Sequence, residues 1–165
     1  MSRHQDIDAI HDRHVPVPLL TAIGEGDERY QMGNPVRVVT SGVERLAREP
    51  FWSSGRWRMC DRLPWWEEYE DETAVIMGHY WRRATAIHGS DHLATKPDLL
   101  TGVGPTEWMG LKKNMFCVDY SIGGQYEERQ SGKTEFDTHL AAMQWPEKQL
   151  WFESGRVAEG SRLRP

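Results

Sequence analysis

The residues whose types and positions could do chemistry are His79, Asp119 and the pair Arg82 and Arg83. The apolar run Thr73-Ala74-Val75-Ile76-Met77 ends in Gly78-His79. A strand buried on both faces and ending there sets an imidazole at the carboxyl edge of a sheet, where open α/β folds gather their ligands. Gly78 is expected to let the backbone turn sharply, and neutral imidazole is the commonest protein metal ligand. On these residues alone His79 is either a ligand or a structural histidine. Asp119 follows the apolar stretch Met115-Phe116-Cys117-Val118. Its carboxylate could orient a neighbouring ligand or cap the backbone of a turn, and the turn is the preferred reading. Two readings stand open for Arg82 and Arg83: a guanidinium fork on phosphate oxygens, or a solvated loop.

Other constellations offer less. His88 and His92 are four apart, but Gly89-Ser90-Asp91 between them disfavours the helix that would bring both to one metal. His4, His11 and His14 lie among acids near the N-terminus and read as solvated, and His139 reads as a hydrogen-bonded structural residue in a strand. Neither a Gly-x-x-x-x-Gly-Lys loop nor a Gly-x-Ser-x-Gly elbow occurs, so covalent catalysis has no support. Cys60 and Cys117 form no C-x-x-C pair and are expected to be buried thiols. The net charge of −5, with both signs mixed along the chain, gives no basic stripe for nucleic acid. No stretch approaches the ~18 apolar residues that suggest a membrane span, and no apolar leader opens the chain, so a cytoplasmic protein is expected.

These residues need elements to hold them, and 165 residues with eight Trp are enough for one packed domain. Residues 1–32 are broken by Pro16, Pro18, Gly24 and Gly26, which predicts a poorly ordered segment of loop or short helix. Val36-Arg37-Val38-Val39-Thr40 is a β-branched run that predicts a strand. Trp52, Trp57, Trp65 and Trp66 suggest an aromatic mini-core under a long excursion, or else a ligand-stacking surface. Pro64 marks a helix start, and residues 89–110 read as a long surface loop. Residues 139–144 and 149–152, around Trp145-Pro146-Glu147-Lys148, predict a β-hairpin, and residues 154–165 a polar tail.

In their order, Asn34-Pro-Val-Arg-Val-Val-Thr-Ser-Gly-Val-Glu44, Pro50-Phe-Trp, Gly55-Arg-Trp-Arg58, Pro64-Trp-Trp and Val75-Ile-Met-Gly-His-Tyr-Trp-Arg82 resemble the C-terminal half of bacterial calcineurin-like metallophosphoesterases. Phe116-Cys-Val-Asp-Tyr-Ser-Ile-Gly-Gly124 and Leu140-Ala-Ala-Met-Gln-Trp-Pro-Glu147 look like that family's closing strands. The resemblance runs over about residues 33–153 and implies an α/β (α+β) fold, the C-terminal half of a β-sandwich flanked by helices. It also implies a hydrolase in which two divalent ions, manganese, iron or zinc, activate a water against a phosphate ester. His79 would be a metal ligand. The family's usual Gly-His-x-His is broken here by Trp81.

The family's earlier motifs, Asp-x-His, Gly-Asp-x-x-Asp and Gly-Asn-His, have only imperfect echoes in Asp12-Arg13-His14, Gly26-Asp27-Glu28-Arg29-Tyr30 and Gly33-Asn34-Pro35. None follows an apolar strand, and their spacing is too tight for intervening β-α units. The expectation is therefore the C-terminal portion of a phosphoesterase, inactive until an N-terminal half completes it, with exposed strands prone to self-association. The alternative is a non-catalytic domain that binds a protein or nucleotide through its Trp-rich surface.

Overall fold

In the computed structural model, which describes residues 9–53, 55–84 and 99–159, Asn34 decides the conformation of the Val36 stretch. Its Oδ1 accepts from the backbone N–H of Val36 at 3.0 Å and of Arg37 at 3.4 Å, and Pro35 supplies the first helical φ. The expected strand is therefore a helix, Pro35–Ser41 (α2), closed by Gly42 at φ 88°. Its β-branched side chains are not spent on a core, since Val36 is 69% and Val39 85% exposed.

The chain is α+β, and its described residues form two compact units, one up to Pro64 and one from Trp65. In the first, helix α1 (Thr21–Met32) packs on a hairpin of β1 (Glu44–Ser53) and β2 (Arg56–Arg62). The expectation of a poorly ordered segment over residues 1–32 is revised for its last part, where Thr21–Met32 is a 12-residue helix packed on the hairpin. Gly24 is what lets α1 sit so close: a Cβ there would lie 2.3 Å from Leu46 Cδ1 and 3.0 Å from the Met59 carbonyl oxygen. The register of β1 slips between Leu46 and Phe51, and at the slip Glu28 of α1 accepts the Leu46 N–H at 2.7 Å. Buried Gln31 ties α1 to α2 by donating to the carbonyls of Gly42 and Arg37.

The second unit is organised by β4 (Met115–Cys117), buried at every position. Alternation along the strand sends Met115 and Cys117 into one cluster with Trp66, Tyr80, Leu100 and Met109, and Phe116 into another with Trp108, Tyr120, Leu150 and Phe152. The predicted buried strand is thus present, with a separate core on each face. Its parallel partner β3 (Val75–Met77) departs from expectation, because Ile76 is 39% exposed and the strand is not buried on both faces.

After helix α3 (Gln125–Gln130), the predicted hairpin appears as β5 (Ala141–Gln144) and β6 (Gln149–Phe152). A third strand, β7 (Val157–Glu159), pairs with β6 at positions read as a polar tail, and Ala158 packs on the Phe116 cluster. The expected surface loop at 89–110 is also revised for residues 99–110, where Leu100, Trp108 and Met109 are core residues. The expected helix at Pro64 reduces to a 3-10 turn, Trp65–Glu67. Among the described residues no helix is long and apolar enough to cross a membrane.

Candidate functional site at the carboxyl edge of the parallel strand pair

Strands β3 and β4 run parallel in the register Val75↔Met115, Ile76↔Phe116, Met77↔Cys117, so both chains leave the pair on the same side. His79 is two residues past β3 and Asp119 two past β4. The sequence pattern placed each at the end of its own strand, and the structure joins them: Asp119 Oδ2 accepts the backbone N–H of His79 at 2.8 Å. Its other oxygen, Oδ1, accepts the N–H of Ser121 at 2.8 Å, closing the turn that the sequence suggested.

The sharp turn after β3 is not made by Gly78. A Cβ there would meet nothing nearer than Asp119 Cβ at 3.9 Å, and the left-handed residues are His79 at φ 70° and Trp81 at φ 49°. Non-glycine residues pay for that conformation, of the order of 1–2 kcal/mol each, so something must hold them in it. His79 is half-buried, and Trp81 is 56% exposed.

Arg82 is spent differently from either expectation. It is 1% exposed, its Nη1 donates to the Cys117 carbonyl at 3.3 Å, and its Nη2 donates to the carbonyls of Gly104 and Glu107. The guanidinium lies over the Phe116 ring at 4.3 Å, and burial lowers its pKa. A charge enclosed in this way braces the core, with both Nη2 protons spent on backbone carbonyls and the residue 1% exposed, and is not presented to a phosphate at the surface. Arg83 is exposed beside it. Burial pushes the Cys117 thiol up and the Tyr120 hydroxyl up to about 12, and the latter donates to the Pro105 carbonyl at 2.5 Å. Cys60 is half-buried, not fully buried as expected, and its thiol rises to about 11 by burial first and then by the nearby charges of Asp27, Glu44 and Glu28.

The weaker sequence candidates have local structural work. Asp12 Oδ1 accepts the His14 N–H at 2.9 Å, Asp27 lies 4.0 Å from Arg56, and Asn34 caps α2. His4, His88 and His92 lie outside the described residues. The four clustered Trp divide between the units: Trp52 and Trp57 face each other edge-on at 5.8 Å across the first hairpin, while Trp65 and Trp66 pack with Tyr69 and Tyr80.

The carboxylate partner of His139 was not seen from sequence. His139 Nδ1 lies 3.0 Å from Glu153 Oε1, and Gln125 Nε2 donates to the same oxygen at 3.3 Å. Burial raises the Glu153 pKa, but the His139 contact and further hydrogen bonds outweigh it and leave a net lowering. The signal available was the inward position of Phe152, which puts the next residue at the end of β6, facing the start of β5.

Among the described residues no group of three or more His, Cys, Asp or Glu side chains could hold a metal ion. This edge offers one imidazole, with both oxygens of the adjacent carboxylate taken by backbone amides. These residues do not by themselves fit a two-metal centre. No family model, curated protein or solved structure matches the chain.

Proposed function

We propose that this chain is the C-terminal portion of a metal-dependent phosphoesterase with a calcineurin-like sandwich, and that it contributes His79 as one ligand to a centre completed by residues outside those described. The observation that carries the reading is the position of His79, half-buried just past the carboxyl end of one of two parallel strands and fixed by a hydrogen bond to the residue leaving the other. An imidazole kept at such an edge suits a ligand better than a core packing role. The order of motifs from Asn34 to Glu147 adds the likeness to the family. The edge of β3 away from β4 has no strand partner among the described residues, which fits a sheet that continues with strands from elsewhere.

The test is turnover of p-nitrophenyl phosphate with added manganese, by the chain alone and by the chain fused to its upstream reading frame. The chain alone should hydrolyse the ester no faster than a His79→Ala control. The fusion should be active, and His79→Ala should remove that activity. An active fusion indifferent to His79→Ala would overturn the ligand role. Robust His79-dependent turnover by the unfused chain would overturn the need for completion.

A further inference from the structure

We infer that Asp119 is the positioning residue for His79, holding the left-handed backbone that decides where the imidazole faces at the sheet edge. The inference rests on the ligand reading above only for what the ring does once placed. The hold itself is carried by geometry.

The segment from His79 to Arg82 forms a four-residue arch whose two ends hang on one residue. The His79 N–H donates to Asp119 Oδ2 at 2.8 Å, and the Arg82 N–H donates to the Asp119 carbonyl oxygen at 2.6 Å. Asp119 does not move freely beneath this arch, because its Oδ1 is committed to the Ser121 N–H at 2.8 Å. Both amides that the carboxylate accepts belong to residues in the left-handed region, His79 at φ 70° and Ser121 at φ 63°. The carboxylate thus compensates two unfavourable backbone conformations at once, one in its own turn and one 40 positions earlier in the chain. Few side chains could replace it. Asparagine offers one carbonyl oxygen, and its NH2 would face the second amide as donor against donor. Glutamate is longer and would push the arch away from β4. The imidazole is joined to β3 through the backbone of Gly78 and His79, so a change in the His79 φ swings the ring about the strand end.

The experiment compares the parent chain with Asp119→Ala and the milder Asp119→Asn, by NMR on the full chain. Amide hydrogen exchange of His79 is read against Val75 and Met115, which donate to the Asn114 and Met109 carbonyls in the same unit. The His79 ring signals are followed on addition of manganese ion. The expected result for Asp119→Ala is exchange at His79 more than tenfold faster with Val75 and Met115 unchanged, and weaker manganese broadening of the ring than in the parent. For Asp119→Asn, one of the two amides, His79 or Ser121, should lose protection while the other keeps it. Exchange at His79 that stays at the parent rate, or rises only in step with Val75 and Met115, overturns the inference. So does an exposed His79 amide with manganese broadening equal to the parent's. If manganese does not broaden the parent's His79 ring at all, the lone imidazole does not retain the ion without the completing residues, the fusion assay decides the ligand reading, and the exchange comparison alone decides whether Asp119 holds the arch.

Discussion

Arg82 Nη1 donates to the carbonyl of Cys117, a residue in the centre of the unit it braces, while Nη2 reaches two further carbonyls, those of Gly104 and Glu107. Three backbone acceptors are therefore served by one buried cation. Removing it takes this donor from the Cys117 and Glu107 carbonyls, at about 1–3 kcal/mol each, while the Gly104 carbonyl keeps the Glu107 N–H at 3.1 Å, and relief of the cost of burying the charge offsets part of the loss. Arg82→Met should lower stability by about 2–4 kcal/mol in urea denaturation. Arg82→Lys should recover less than half of that loss, because an ammonium cannot span acceptors lying in different directions. A methionine variant within about 0.5 kcal/mol of the parent would show that these carbonyls find other donors.

Gly24 and Gly26 share helix α1 and should respond oppositely to alanine. Alanine ordinarily gains about 0.5–1 kcal/mol over glycine inside a helix. A Cβ at Gly26 meets nothing within 4 Å, so Gly26→Ala should keep that gain. At Gly24 the new methyl would press on Leu46 Cδ1 and on the Met59 backbone, and backbone cannot step aside cheaply. Gly24→Ala should destabilise by about 1–3 kcal/mol. Thermal melts of the two variants decide it, and equal shifts of the same sign would contradict the close packing of α1 on the hairpin.

The elements that could be read in the sequence are those whose signal was both local and sufficient. Phe116 and its neighbours form a short apolar run with a core on each face, and Met115–Cys117 is a strand. The hairpin of Ala141–Gln144 and Gln149–Phe152 alternates toward one core, and its Pro-containing connection marks the turn. Val36–Thr40 misled because β-branched content was weighed above Asn34-Pro35, which is an N-cap followed by a first-turn proline. Trp108 and Met109 sit in a stretch rich in Gly and Pro, and only the tertiary fold brings them against Phe116 and Met115.

The candidate site was legible to the same degree. The strand-end positions of His79 and Asp119 follow from two apolar runs, but that the runs pair in parallel, and so bring the two residues together, is a property of topology. Arg82 carried no sequence mark of burial. Its neighbour Arg83 has the same side chain and is exposed, and the difference comes from which residue of the arch points back over Phe116.

A last prediction concerns acid. Glu128 of α3 accepts from the Thr138 hydroxyl at 2.5 Å, from the Thr138 and Asp137 amides, and from Lys133 Nζ at 3.2 Å. The Thr138 hydroxyl is the largest influence, and together these bonds bring the Glu128 carboxyl down to about 2 from its usual 4.5. A folded value below the unfolded one means the carboxylate's contribution is fully present above about 4.5, and is lost as pH falls through about 2. Protection of the Asp137 and Thr138 amides should therefore persist at pH 4 and disappear toward pH 2, with the Glu128 side-chain carbon titrating over the same range. Thr138→Val removes the hydroxyl donor and should move that titration upward toward 4.5. A Glu128 midpoint near 4.5 in the parent chain, or one unmoved by Thr138→Val, would show that the residue 131–138 loop is not fastened by this carboxylate.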